Sequence, residues 1–313
     1  MNTTEFIRKT SPAGRGLNGD NGDNYNNRLK ENRILNDDGS ILRYLTFPAL
    51  DELDIITHAI TTRQGGVSSG CYESMNLSYT RGDDPKCVDE NYQRMMKTMG
   101  VTMDRVVTAD QKHTNTVRVV SEEDAGKGVT RELDYSFVDG IVTNERGITI
   151  ALFASDCVPL FFVDPVRRAI GLSHSGWRGT IGRIGRVTVE TMSGEFGTDP
   201  KDLICYIGPS ICRSCYEVGR EVAEEFVKEF PEHEKEIVFQ SVPEPERDIE
   251  AEKKDKYHLD LWRANRIILE DEGVLPGNIY VTDICTKCNP GLLFSHRACG
   301  ESRGNNTCLL MLK

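Results

Sequence analysis

The sequence predicts an α/β (α+β) fold built on mixed β-sheets, rather than a doubly wound parallel sheet. Nine short apolar runs have the length and composition of strands, and four longer segments have the apolar spacing of helices. The order of these segments is not a regular strand–helix alternation, which a doubly wound parallel sheet requires. With 38% hydrophobic residues, the chain has enough apolar material for a substantial core.

The predicted elements follow one another from residue 56 to the end of the chain. Strands are expected near residues 56–62, 104–109, 117–120, 148–153, 159–163, 168–173, 203–208, 278–282 and 307–312. Helices are expected near residues 86–99, 181–196, 217–229 and 260–272. In the last helix, Asp260 is a candidate N-cap and Gly273 a stop signal.

Two polar segments are expected to lie outside the regular structure. Residues 1–40, whose second part is rich in Gly, Asn, Asp and Ser, should form a mobile arm because they cannot bury enough apolar surface. Residues 242–257 are strongly charged and should form a surface loop. Residues 41–313 are then expected to form a single domain.

Composition argues against several function classes. The 38 basic and 49 acidic residues give a net charge of −11, which repels the phosphate backbones of nucleic acids. No apolar run reaches about 18 residues, and the N-terminus lacks the apolar region of a signal peptide. We therefore expect a cytoplasmic protein with neither nucleic acid nor membrane as partner. In a reducing compartment, its ten cysteines are expected as thiols, metal ligands or catalytic groups rather than disulfides.

Three segments place metal-binding side chains at the ends of predicted strands. His113 lies in QKHTN, Cys157 in ASDCVP and His174 in GLSHSGWRG. Imidazole and thiolate together suit zinc, and three protein ligands leave a fourth position for water. Each of these residues alone is more often a satisfied polar group or a core thiol, and their wide separation matches no short metal-binding spacing.

Arg63, Asn76 and Arg178 are the candidate substrate and phosphate residues. Arg63 follows a strand in TTRQGGVS, where a glycine turn can present its guanidinium to a phosphate, although a solvated turn arginine is the alternative. Arg178 lies in a glycine-flanked turn before a helix, which is typical of an anion site. Arg63 and Asp156 are the candidate catalytic residues. Asp156, beside Cys157, can orient a ligand or shuttle a proton, or it can simply cap a turn.

Eight ordered motifs resemble the laccase-domain family, also described as multicopper polyphenol oxidase or peptidoglycan editing factor. They span roughly residues 55–312 and read TTRQGGVSSGCYESMNL, QKHTNTV, DGIVTN, SDCVPLFFVDP, SHSGWRGT, IGPSICRSCYEVG, HLDLWRANR and CTKCNPGLLFSHR. The resemblance implies a layered sandwich in which helices cover two packed sheets. Ser175 stands where the family usually has alanine, and His296 where it often has tyrosine; neither change affects a proposed ligand.

The resemblance also implies a purine nucleoside phosphorylase with adenosine deaminase activity. It implies zinc at His113, Cys157 and His174. The three-ligand set and the small number of histidines predict about one zinc ion per chain and little copper. The substrates would be phosphate and purine nucleosides of the adenosine, inosine and guanosine type, and the products base and ribose 1-phosphate. Phosphorolysis needs phosphate at the anomeric carbon, the role expected of Arg63, and deamination needs an activated water at purine C6.

Three other functions stay open at this point. A copper-dependent polyphenol oxidase is disfavoured because only six histidines are present and none forms a His-x-His pair, although a single copper suits the same three ligands. A hydrolase that edits peptidoglycan precursors would use Cys157 as a nucleophile, which a Cys–His pair permits. A non-catalytic binding module is disfavoured, because such a protein does not need the polar groups that cluster at the ends of the predicted strands.

Four further cysteines form two C-x-x-C pairs. Cys285 and Cys288 lack the accompanying H-x-E segment of a cytidine-deaminase-type zinc site. Such a pair can be redox-active. We nevertheless expect ordinary structural thiols, both here and at Cys212 and Cys215.

Overall fold

The computed structural model describes residues 29–241 and 256–313. Its strands are β1 (Lys30–Leu35), β2 (Ile41–Thr46), β3 (Ile56–Thr61), β4 (Val106–Thr108), β5 (Val117–Val119), β6 (Gly140–Thr143), β7 (Thr149–Ala154), β8 (Val158–Asp164), β9 (Ala169–Ser175), β10 (Ile204–Ile207), β11 (Glu217–Gly219), β12 (Val238–Gln240), β13 (Lys256–Leu259), β14 (Ile279–Val281) and β15 (Asn306–Leu312). Its helices are α1 (Pro48–Asp51), α2 (Pro85–Met99), α3 (Trp177–Ile181), α4 (Ile184–Phe196), α5 (Arg220–Glu229), α6 (Glu234–Ile237), α7 (Leu261–Asp271) and α8 (His296–Cys299). All nine predicted strands are present.

These strands form two six-stranded sheets and one three-stranded sheet. The first has the order β1-β2-β3-β15-β7-β4, the second β14-β10-β8-β9-β6-β5, and the third β11-β13-β12. In the first sheet β4 runs parallel to β7, whereas β15 is antiparallel to both β3 and β7. In the second sheet β10 is parallel to β14 and antiparallel to β8. The prediction of mixed sheets is confirmed.

The alternation of side chains along β8 shows how the layers stack. Phe161 belongs to a core between the two large sheets, where it is joined by Leu310 of the first sheet. Phe162, on the opposite face of the strand, belongs to a core shared with helices α4 and α7. On the outer face of the first sheet, Ala151 and Met95 of α2 share a third core. The order of layers is helix, sheet, sheet, helix, as the family resemblance implies.

One edge of the two large sheets collects the segments predicted to form the site. The chain crosses from the first sheet to the second at residues 155–157, between β7 and β8. The end of β9 lies there too, because Val158 pairs with Ser175, and so does the start of β6, because Gly140 pairs with Ser173. Since β4 runs parallel to β7, the loop after β4 leaves from the same edge.

Part of the expected N-terminal arm is a strand. β1 pairs with β2 over its whole length, so the prediction of an arm through residue 40 was wrong there. The side chains of β1 are mostly exposed and form no continuous buried face. Backbone pairing and the 2.7 Å ion pair of Glu31 with Arg43 attach this strand to β2. Residues 1–28 and 242–255, which include most of the arm and of the expected charged loop, lie outside the described residues. The division into an arm and a single domain otherwise stays a prediction.

Two predicted helices differ from the structure where they begin. The helix expected over residues 181–196 is interrupted at Arg183, whose φ of 52° separates α3 from α4. The first three residues of the helix expected over 217–229 form β11, which pairs with β13. The helix that begins after Asp260 is confirmed, since the side chain of this residue accepts the backbone N–H of Arg263. Across the described ranges, no helix has the length and apolarity needed to span a membrane.

Candidate metal centre

His113, Cys157 and His174 come together at the shared edge of the sheets. One ligand atom from each lies within 4.8 Å of the others, and Cys157 Sγ is 3.9 Å from His113 Nε2. His174 is buried at the end of β9, Cys157 is half-buried in the turn before β8, and His113 is exposed. Two nitrogens and one sulfur that converge at an accessible position match a zinc site with a free fourth position.

Asp139 positions two of these three residues, although it was not among the residues predicted from the sequence. Its buried carboxylate lies 2.9 Å from Nδ1 of His174, which leaves Nε2 as the nitrogen available to a metal. The carboxylate also accepts the backbone N–H groups of Lys112, His113 and Thr114 at 2.8–3.0 Å. One buried carboxylate therefore fixes both the His174 ring and the loop that carries His113.

The charges around the cluster favour a bound cation. Burial raises the pKa of the Cys157 thiol, but the charge of His174 and hydrogen bonds from both histidines outweigh burial and lower this pKa to about 6. Burial lowers the pKa of His174, yet the Cys157 thiolate and Asp139 together raise it to about 10. Two anionic groups thus surround one imidazole, and a divalent cation bound there would replace its proton.

Gly176 makes room for the cluster. A Cβ atom at this position would lie 2.9 Å from Cδ2 of His113 and 3.0 Å from Sγ of Cys157. Both distances are shorter than a normal van der Waals contact with carbon. Glycine at position 176 therefore lets the imidazole and the thiol approach each other from two different loops.

Gly176→Ala is expected to weaken zinc binding at this cluster by about tenfold or more, because its methyl group would displace the ligands. The dissociation constant of metal-stripped protein, measured by competition with a chromophoric chelator, tests this. Gly194→Ala in α4 is the matched control, since a Cβ there meets no atom within 4 Å. Equal zinc affinities of the two variants would show that the ligands do not need this space.

Two cavities meet at the metal cluster. The first has a volume of about 270 Å³ and the second about 370 Å³, and both are lined by His113 and Cys157. Phe153 and Leu133 contribute apolar wall to the first cavity. The cluster is therefore accessible from two sides, each with room for part of a small organic molecule.

Basic side chains outnumber acidic ones around the second cavity, whose lining also includes the carboxylates of Asp156 and Glu301. Its lining includes four arginines, one of them among the predicted anion-binding residues: Arg81, Arg178, Arg297 and Arg303. Arg81 and Arg303 line the first cavity as well. Burial and the charge of Arg81 lower the pKa of Arg303, so a bound anion would relieve this repulsion. The Nε of Arg303 is buried and has no hydrogen-bond partner among the described residues.

The structure does not bring Arg63 to the metal cluster. Its guanidinium donates to the carbonyl oxygens of Glu73 at 3.0 Å and Pro290 at 2.8 Å, and it lines neither cavity. Asn76 is fully buried, and its Oδ1 accepts the backbone N–H of Asn305 at 3.2 Å. Both residues hold loops together in this arrangement, and their expected role in phosphate binding stays a prediction.

The carboxylate of Asp156 is engaged by the protein on both oxygens. Oδ1 accepts the Thr286 hydroxyl at 2.5 Å, and Oδ2 accepts the backbone N–H of Arg297 at 2.6 Å. The φ of Asp156 is 92°, a conformation that is strained for a residue with a side chain. These contacts hold the sharp turn that presents Cys157, so they favour the turn-capping role over the proton shuttle.

Comparison with known proteins places this chain in a wider group. The family model described as multi-copper polyphenol oxidoreductase laccase matches residues 57–313. Purine nucleoside phosphorylase YlmD of Bacillus subtilis (strain 168) is 37% identical over 241 residues, which cover 76% of this chain and 81% of that protein. Adenosine deaminase RL5, from an unknown prokaryotic organism, is 34% identical over 79% of this chain and 90% of its own length. The crystal structure of YlmD from Geobacillus stearothermophilus superposes with a TM-score of 0.75 at 31% identity, covering 86% of this chain and 96% of that one.

Proposed function

This chain belongs to the multi-copper polyphenol oxidoreductase laccase family, and we propose that it is a zinc-dependent purine nucleoside enzyme. In this proposal it splits purine nucleosides with phosphate into base and ribose 1-phosphate, and it also deaminates adenosine. The names of the phosphorylase and deaminase relatives support both activities. The observation that carries the proposal is the convergence of His113, Cys157 and His174 where two cavities meet.

The ligand set favours zinc although the family description names copper. One thiolate and two imidazoles, with room for a fourth ligand, suit a catalytic zinc ion. Within the described ranges, the only other group of three or more clustered histidine, cysteine or acidic ligands consists of four cysteines. A multicopper centre needs many imidazoles, and neither group supplies them.

Each region of the site has a distinct task in the proposed reactions. When bound, zinc would activate a water molecule for attack on purine C6. Arg81 and Arg303, which line both cavities, bind phosphate so that one of its oxygens faces the anomeric carbon. That oxygen forms the new bond to carbon as the glycosidic bond breaks, and the purine departs with the electron pair and takes up, through water, the proton that the phosphate releases. The first cavity, with Phe153 in its wall, takes the base.

Product identification from adenosine tests the proposed function. Without phosphate, the zinc-loaded protein is expected to release inosine. With phosphate, it is expected to release free base and ribose 1-phosphate as well. Absence of all these products, together with oxygen consumption on phenols, would instead identify an oxidase.

Arg303→Ala is expected to raise the KM for phosphate by about 10- to 100-fold, while deamination without phosphate changes little. Charge-assisted hydrogen bonds of this kind contribute roughly 1.5–3 kcal/mol. Arg63→Ala is the matched comparison, because both arginines are half-buried but Arg63 lines neither cavity. If the KM for phosphate rises in Arg63→Ala but not in Arg303→Ala, Arg63 rather than Arg303 binds the phosphate.

A further inference from the structure

A second group of metal-binding side chains lies outside the site described above. It consists of the two C-x-x-C pairs: Cys212, Cys215, Cys285 and Cys288. Their four sulfur atoms lie within 4.8 Å of one another, and the sulfurs of Cys215 and Cys288 are 3.5 Å apart. In a tetrahedral zinc site with four Zn–S bonds of about 2.3 Å, the sulfurs are about 3.8 Å apart. The cluster therefore has the dimensions of such a site.

The second sheet brings the two pairs together. β10 and β14 are parallel neighbours, so the loops that follow them leave the sheet side by side. Ser210 pairs with Cys285 across these loops. The backbone N–H of Cys212 donates to Sγ of Cys285 at 3.3 Å, a contact that stabilises a sulfur carrying negative charge.

Burial and local charge both suit a metal–thiolate centre. Cys212 and Cys285 are buried, whereas Cys215 and Cys288 are half-buried. Four thiolates around one divalent ion leave a net charge of about −2. Each C-x-x-C turn also contains one basic residue, Arg213 in the first and Lys287 in the second.

We propose that these four cysteines bind a structural zinc ion. Four protein ligands close the coordination shell and leave no position for water or substrate, which is typical of a structural site. This ion is separate from the one at His113, Cys157 and His174 and forms no part of the proposed function. With it, the expected zinc content rises from about one to two ions per chain, and the four cysteines are ligands rather than ordinary thiols.

The structural zinc would brace one wall of the active site. Ile211, next to Cys212, donates its backbone N–H to the carbonyl oxygen of Asp156 at 2.9 Å. Thr286, next to Cys285, donates its hydroxyl to the carboxylate of the same residue. Since Asp156 directly precedes Cys157, the ion fixes both loops that hold the turn of the other metal centre.

Metal analysis of the full-length protein, purified without added metal, tests the proposal. Wild-type protein should hold two zinc ions per chain and Cys288→Ser only one. Cys71→Ser is the matched control, because it removes an exposed cysteine outside the cluster and should keep two ions. Equal zinc contents in Cys288→Ser and Cys71→Ser would overturn the proposal.

X-ray absorption of His113→Ala provides a second test that does not require Cys288→Ser to fold. The zinc that remains in His113→Ala should show four sulfur ligands at about 2.3 Å and no imidazole. After denaturation in chelator without reductant, all ten cysteines should titrate as free thiols. Iron in place of zinc, a nitrogen-containing shell, or the loss of two thiols to a disulfide would each contradict a zinc site.

Discussion

Cys157→Ser is expected to lose the zinc ion of the His113–Cys157–His174 cluster and both proposed purine activities together. The pKa of the Cys157 thiol is lowered to about 6, so at neutral pH wild-type protein presents a thiolate to the metal. A serine hydroxyl stays protonated and is a much weaker zinc ligand, and we expect an affinity loss of at least about 100-fold. Zinc content and adenosine turnover, measured on one preparation, give the result.

The same variant separates the metal-ligand role of Cys157 from a nucleophilic one. A nucleophile would leave the zinc content unchanged, abolish one covalent reaction, and allow a wild-type adduct to be trapped. Cys87→Ser is a suitable control, since Cys87 is also half-buried but belongs to neither metal cluster. Full zinc occupancy at the cluster in Cys157→Ser would remove Cys157 from the ligand set.

Asp139→Asn is expected to lower zinc affinity by about 10- to 100-fold and to destabilise the fold by a few kcal/mol. An amide nitrogen cannot accept the backbone N–H groups that the carboxylate binds, so at least one backbone N–H in the loop around His113 loses its partner. The ring of His174 also loses the carboxylate that orients it. Zinc competition and chemical denaturation measure the two effects.

Asp164→Asn distinguishes a specific effect of Asp139 from the general cost of altering a buried carboxylate. Asp164 is equally buried and accepts the backbone N–H groups of Val166 and Arg167 at 2.8 and 2.9 Å, but it lies at the opposite end of β8 from Cys157. The asparagine can keep both hydrogen bonds through its amide oxygen, because Oδ1 of Asp164 accepts both N–H groups, and Asp164→Asn should keep its zinc affinity. A similar fall in zinc affinity in both variants would argue against a positioning role for Asp139.

Side-chain patterns predicted those parts of the fold that depend on burial. Strand β8 is buried along its whole length and was found from its apolar run. The hairpin of β1 and β2 was missed because backbone pairing holds a strand such as Lys30–Leu35 whose side chains are mostly exposed. The three-residue strand Glu217–Gly219 was assigned to a helix, since so short a segment cannot show the alternation of apolar and polar residues that identifies a strand.

In the site, too, the residues that lie in local motifs were predicted, whereas contacts between distant segments were missed. The three proposed ligands lie in distinctive motifs at strand ends, and the structure brings them together. Asp139 accepts backbone N–H groups from a loop that is distant in the sequence. Such contacts do not depend on the side chains of that loop, so no sequence pattern reveals them. The four-cysteine cluster depends on the adjacency of β10 and β14, and the cavity arginines Arg81 and Arg303 meet only through the fold. Arg63, whose turn is locally similar to an anion site, lines neither cavity in the structure, and its role in phosphate binding stays a prediction.

Reconstitution of metal-stripped protein with single metals tests the central claim most directly. Adenosine turnover should be absent without metal and should return as added zinc fills the His113–Cys157–His174 cluster. Copper and magnesium, added in the same way, should restore little. Full turnover by the metal-free protein, or recovery with copper but not with zinc, would contradict a zinc-dependent purine nucleoside enzyme.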